Sequence, residues 1–424
     1  MAYSVLGFPL AFAGLPIYVH APEFYARTFG ISISVLGLIL LLVRGIDAIQ
    51  DPLIGALSDR FHEWRSTIIV FGLTLLGIGF WMLFHPIQSL TIPWLVTSLI
   101  LCTTGFSVAS INFQALGGLW KADEKERTRI VSWREAAGLL GLLVASIAPT
   151  ILANVNREEQ AFHWITIFFV PLLIICGLVF LSWMKRAKID KPKKPKSSEK
   201  RPIFNTTWNR QFFSIYLINS FASAIPAILV VFFVSDRLDA KAYLGAFLLL
   251  YFLSGVISMP FWQFLSNRIG KLNAWLVSML VASLTFIWAF GLSTGEIQFF
   301  AAVCLFSGMA LGGDLALPPS IVADRISRLD LQDAASRYFS GLTFLGKLSL
   351  AVASGFSLPL LSILGYEPGG ENGPNVTAHL STVYALIPSL TKMVVAFWLF
   401  CFIRQIYRGK YNYEIRSDSN VFLV

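Results

Sequence analysis

The sequence predicts an all-α membrane protein: twelve transmembrane helices arranged as two six-helix bundles. Three observations carry that prediction. Of the 424 residues, 56% are hydrophobic and only 13% charged, about half the charged share of a soluble domain. Apolar runs of about 20 residues recur along the whole chain, each long enough to cross a bilayer core as a helix that satisfies its own backbone hydrogen bonds. Lys and Arg gather in alternate loops between those runs, which assigns the loops to two sides of a membrane.

The runs place spans at 3–25, 30–58, 66–86, 91–118, 129–153, 161–184, 210–234, 240–265, 272–293, 297–322, 337–365 and 379–404. One set of loops carries Arg60 and Arg65; Lys121, Lys125, Arg127 and Arg129; Arg268 and Lys271; Arg325 and Arg328; and Arg404, Arg408 and Lys410. The opposite set holds scattered cases such as Arg27, Arg157, Arg237 and Lys241. The positive-inside rule then puts both termini in the cytoplasm, as an even number of spans requires, in a plasma (inner) membrane.

The net charge of +9 first suggests a nucleic-acid partner. Its location argues otherwise: residues 185–210 hold ten basic residues against Asp190 and Glu199, eight of the nine net positive charges. A polar, proline-containing segment of this kind between spans is a flexible cytoplasmic linker that meets anionic lipid, so no nucleic acid is expected. The divisions expected are a first bundle over 1–184, the linker over 185–209, a second bundle over 210–404 and a cytoplasmic tail over 405–424. Cys102, Cys176, Cys304 and Cys401 lie scattered inside spans and read as small apolar packing residues. The first apolar stretch has neither a basic flank before it nor a small-residue cleavage site after it, so it is expected to be a retained helix. His20, His62, His85, His163 and His379 are dispersed and fit no HExxH pattern, and neither GxSxG nor a phosphate loop occurs. An enzyme is therefore not expected, nor a metal or cofactor.

Charges inside the apolar runs are where function should show. Arg44, Asp47 and Asp51 interrupt the second span at i, i+3 and i+7, a spacing that stacks them on one helix face. An ionised side chain at membrane depth costs at least about 2.5 kcal/mol unless paired or hydrated, and such residues mark ion or substrate pathways. An Arg44–Asp47 salt bridge is the structural alternative, but one arginine cannot neutralise two carboxylates. Arg134 and Glu135 begin the fifth span, Asp314 lies in the tenth and Lys347 midway along the eleventh. These charges should face a cavity, with one acid left over to carry a proton or a sodium ion. Pro9, Gly14, Pro16 and Pro22 in span one, and Gly312, Gly313, Pro318 and Pro319 in span ten, mark expected breaks in helical regularity. With Asp314 beside them, Gly312, Gly313 and Pro318 are candidates for a gate.

The halves also repeat. Pro52, Leu57, Ser58 and Arg60 close the second span, and Pro260, Leu265, Ser266 and Arg268 close the eighth at a constant offset of 208. At equivalent places in two six-span halves these matches indicate a parallel internal repeat. Two such bundles, a basic linker and the Gly55-Ala-Leu-Ser-Asp59-Arg60 turn resemble the major facilitator superfamily over the whole chain. Asp59 and Arg60 become gating candidates on that resemblance.

A finer likeness follows from Arg44-Gly-Ile-Asp47-Ala-Ile-Gln-Asp51-Pro52-Leu-Ile-Gly55, which resembles the second-span signature of the glycoside–pentoside–hexuronide:cation symporters, the melibiose permease group. Asp123 to Arg127 with Arg134, Ala323-Asp324 and Lys347 agree with it. The resemblance implies a secondary transporter working by alternating access, with Asp47 and Asp51 binding a coupling proton or sodium ion and with Lys347 and Arg134 near a small-molecule substrate. Arg44, Ser110, Asn112, Gln114 and Asp314 complete the expected substrate contacts. The chain departs from the sugar-recognising pattern: span four offers Ser110, Asn112 and Gln114 in place of a carboxylate, and span one has only Glu23 near its outer end. A sugar or glycoside is the first expectation for the cargo. The alternative is an amphipathic or anionic solute such as a lysophospholipid or an envelope-glycan fragment, held by Arg134 and Lys347. A monomer surrounded by membrane lipid is expected.

Overall fold

The computed structural model describes residues 2–155, 158–187, 189, 203–367 and 373–409. Among these the chain is helical, with one isolated bridge between Trp120 and Ile189. The first column is α1 (Gly7–Leu15), a π-turn (Pro16–His20) and α2 (Ala21–Phe29), closed by Gly30 in the left-handed region at φ 64°. Then come α3 (Ile33–Arg60), α4 (Arg65–Leu83), α5 (Thr91–Leu119), α6 (Glu124–Val155) and α7 (Glu158–Arg186). The second half contains α8 (Thr207–Phe232) with a π-turn (Phe233–Arg237), α9 (Leu244–Ile269), α10 (Lys271–Phe286) and α11 (Ile297–Arg328). It ends with α12 (Ala335–Ile363), α13 (Pro374–Ser381), a π-turn (Thr382–Leu386) and α14 (Ile387–Tyr407).

These make twelve helical columns at the twelve expected places, and among the described residues ten of them are long and apolar enough by composition to cross a membrane. The other two are the first column, which contains a shorter apolar helix over Ser4–Tyr18, and α3, which carries Arg44, Asp47 and Asp51 within its apolar length. Most of the basic linker and the tail beyond 409 lie outside the described residues.

The chain divides into two compact units, Met1–Lys196 with Asp330–Gly341, and Ser197–Leu329 with Leu342–Val424. In the first unit α4 and α5 cross closely because glycines leave room for backbone to approach backbone. A Cβ on Gly72 would stand 2.8 Å from the amide nitrogen of Ala109, and one on Gly79 would stand 2.7 Å from that of Cys102. Apolar lipid gives helices little hydrophobic reason to associate, so close packing of this kind supplies the attraction. Phe12, Phe80 and Phe169 fill the centre, the last two with ring centroids 4.1 Å apart.

In the second unit Phe233, Phe247, Phe300 and Tyr384 play that part, with Phe233 stacked on Tyr384 at 4.1 Å. Helices α9 and α11 make the tight crossing there. Large apolar side chains such as Leu41, Ile49, Leu53, Phe168, Ile257 and Phe397 remain exposed, as expected of helix faces that meet acyl chains.

The expected breaks divide. Span one does lose its regularity at Pro16, where the π-turn begins. Span ten does not: α11 is continuous from Ile297 through Gly312, Gly313 and Pro318 to Arg328. Its glycines answer to packing instead. A Cβ on Gly312 would collide with Ser258, and one on Gly313 would lie 2.7 Å from Ser278 Cβ and 3.0 Å from the Trp262 ring. Neighbouring helices thus enclose the segment in which two prolines lack backbone donors, a condition under which membrane helices tolerate proline.

Candidate functional site

Three helices of the first unit build a site around α3. Ser32 caps that helix by accepting from the backbone nitrogen of Val35 at 3.4 Å, and the 3.6-residue period then stacks Asp47 above Asp51. Asp47 is 2% exposed and Asp51 is fully buried. Tyr18 of the first π-turn donates its hydroxyl to Asp47 Oδ2 at 3.1 Å. Gln50 donates to Oδ1 at 2.9 Å, and Ser107 of α5 donates to the same oxygen at 3.0 Å. Thr104, about one turn from Ser107, donates to Gln50 Oε1 at 3.0 Å. The result is a buried acid that accepts from two hydroxyls and one amide nitrogen, and the carboxylate with those hydroxyl oxygens offers hard atoms suited to a proton or a small hard cation. π-turns frequently mark functional places in helices, and this one aims Tyr18 at the acid.

Arg44 sits at the rim of the same stripe, its side chain exposed. Its guanidinium carbon lies 5.1 Å from the Tyr18 ring centroid, and among the described residues it forms no ion pair, so the Arg44–Asp47 bridge considered from the sequence is not made. The three charges share a stripe, yet 60° of helical rotation separates Arg44 from Asp47, enough to turn it out of the interior.

The span-four residues separate as well. Ser110 continues the face of Ser107 and accepts from Gln114 Nε2 at 3.1 Å. Asn112 points elsewhere and donates to Ser58 Oγ at 2.8 Å, so it ties α5 to the end of α3. Arg134, 4% exposed, donates twice to Glu135, with a shortest distance of 2.5 Å. Asp59 acts as a remote cap for α12. Its carboxylate accepts from the backbone nitrogens of Ser336 at 2.8 Å and Arg337 at 3.0 Å, and from Arg337 Nε at 3.1 Å. Arg65 stands 3.5 Å away and also donates to Ser336 at 2.8 Å. A carboxylate placed on free N–H groups at a helix start is favourable both as a hydrogen-bond acceptor and through the helix dipole. Arg60, its neighbour, is exposed over Phe61.

In the second unit Lys347 is half-buried on α12. Asp314 of α11 is held by Lys392 of α14 at 2.5 Å and by Ser278 of α10 at 3.2 Å. Lys392 also donates to Asn219 of α8 at 3.0 Å. Sequence reasoning reached Asp314 but missed Lys392 and Tyr18. Lys392 could have been found as a lysine within the apolar run Ile387–Leu399, whereas Tyr18 carries no charge to flag it.

The sequence model of a family described as MFS/sugar transport protein matches residues 1–404. The chain is 22% identical to the inner membrane symporter YicJ of Escherichia coli, over 90% of this chain and 86% of that one. It is 23% identical to a putative 2,3-dihydroxypropane-1-sulfonate exporter of Escherichia coli, again over 90% and 86%. Among solved structures, the outward-facing crystal structure of a bacterial homologue of the iron transporter ferroportin superposes with a TM-score of 0.70 at 15% identity, covering 95% of this chain and 98% of that chain.

Proposed function

Because the chain belongs to the MFS/sugar transport protein family, we propose that it is a cation-coupled secondary transporter in which Asp47 and Asp51 take up the coupling proton or sodium ion. The observation that carries this reading is the burial of both acids on α3, with Tyr18, Gln50 and Ser107 converging on Asp47. An ionised carboxylate in that setting is costly by several kcal/mol, and binding a cation removes the cost. Cation binding therefore favours whichever arrangement keeps the acids enclosed, and a gradient of that cation drives the change of access. The protein lies in the inner membrane with both termini in the cytoplasm, following the distribution of Lys and Arg.

The cargo is a small polar solute, with sugars and glycosides the first class to test. Arg134, Lys347, Ser110 and Gln114 are the proposed substrate contacts. Asp59 and Arg60 at the end of α3 are the proposed gating pair.

The test is uptake into proteoliposomes, with radiolabelled xylosides and glucuronides, under an imposed sodium or proton gradient. Asp51→Asn is expected to abolish accumulation while the purified variant keeps its helical spectrum and its monodisperse elution. Full gradient-driven accumulation by Asp51→Asn would remove the acid from the mechanism.

A further inference from the structure

The ion pair in the second unit is built differently from a packing staple. Four helices meet at it: α8 brings Asn219, α10 brings Ser278, α11 brings Asp314 and α14 brings Lys392. The adjoining Gly312 and Gly313 let α11 approach α9 and α10 until the Asp314 carboxylate reaches Ser278. About a tenth of each charged side chain stays exposed, 9% for Lys392 and 11% for Asp314. The ammonium has three N–H donors; Asn219 Oδ1 and Asp314 Oδ2 accept two, and the third meets no acceptor among the described residues. A lysine held by one neutral acceptor and one carboxylate, with a donor to spare, is a built recognition site for an anionic group.

We infer that Lys392, positioned by Asn219, forms an anion subsite for the carboxylate or sulfonate of an acidic cargo, and that Asp314 occupies it as a resident counter-ion in the empty protein. This rests on the transport reading above and narrows its substrate class. The exchange keeps charge balanced: Asp314 takes a proton from bulk water and releases the ammonium, and the incoming anion replaces it. Proton and anion thus enter together, and neither is stable alone in the low-dielectric interior. Among the described residues, the titratable groups that interact with Asp314 are Lys392 from α14, by a direct contact, and Tyr251 from α9, through its charge alone, while α10 contributes the uncharged Ser278 and α8 the Asn219 that holds Lys392. The similarity to a putative sulfonate exporter agrees with an acidic cargo.

Chemical rescue tests the inference on the purified full chain in detergent. Asp314→Ala removes the resident carboxylate, and its melting temperature is expected to rise in a saturable manner with acetate or methanesulfonate over chloride at constant ionic strength. Asp314→Asn keeps the volume and carries the same expectation. The neutral pair variant Asp314→Asn with Lys392→Met is expected to show no such rise. In the wild type, glucuronate is expected to raise the melting temperature more at pH 5.5 than at pH 8, with glucose showing no such difference between the two pH values. A flat response of both single variants to acetate and methanesulfonate would overturn the inference, as would their failure to be recovered in acetate buffer beside a recovered neutral pair variant. The same follows if the neutral pair variant responds like the single ones. Binding is read without a gradient, so a chain that binds glucuronate but never accumulates solute contradicts the transport reading alone. Gradient-driven uptake with no anion response contradicts this inference alone.

Discussion

The acids of α3 are buried and the acid of α11 is half-buried, and their surroundings differ in kind. Within the first unit Asp47 receives hydroxyl and amide donors from Tyr18, Gln50 and Ser107. In the second, Asp314 receives the Lys392 ammonium at 2.5 Å. Uncharged donors stabilise a carboxylate while leaving its charge in place, and an ammonium cancels it. On the proposed reading, the α3 acids take a mobile cation, and the Lys392 ammonium takes an anion in place of Asp314.

The largest expected effect comes from breaking the first site. Asp51→Asn should reduce cation-driven accumulation in proteoliposomes at least about a hundredfold, since the charge proposed to bind the ion is gone. Normal accumulation by that variant would make the two acids equivalent structural features. Next, Gly72→Val in the α4–α5 crossing forces a side chain against the backbone of Ala109. It should destabilise by about 1–3 kcal/mol, lowering the melting temperature and leaving the cation affinity of the folded fraction unchanged. A change in affinity instead would mean that the crossing, and not α3 alone, shapes the site.

A smaller effect is expected from Tyr18→Phe, which deletes one hydrogen bond to Asp47. The loss of about 1 kcal/mol corresponds to a roughly fivefold weaker cation affinity, read from the concentration dependence of uptake. Smallest is Arg44→Ala. Its cation–π contact with Tyr18 at 5.1 Å is exposed and worth about 0.5–1 kcal/mol. Uptake should change by less than about fivefold; abolition would restore Arg44 to the centre of the site.

Much of this architecture was legible from the chain alone, because its cause is local. A charged residue within an apolar run announces itself, so Asp47, Asp51 and Asp314 were all visible. The break in the first column was legible through Pro16. What stayed hidden depends on three-dimensional partners. Lys392 is separated from Asp314 by 78 positions, and no spacing rule joins them. Gly312 and Gly313 read as breaks in span ten, but α11 runs through them unbroken, with Ser258, Ser278 and Trp262 of other helices close by. Asn112 shares a span with Ser110 and Gln114, yet helical rotation directs it to Ser58.

Titration of the purified wild type and of the Asp47→Asn/Asp51→Asn double variant, with sodium against choline and across pH, asks for the cation itself without needing the cargo. The wild type should gain thermal stability saturably with sodium or with protons, and the double variant should lose that gain while remaining folded. An identical cation response in both proteins would contradict the assignment of the coupling ion to α3.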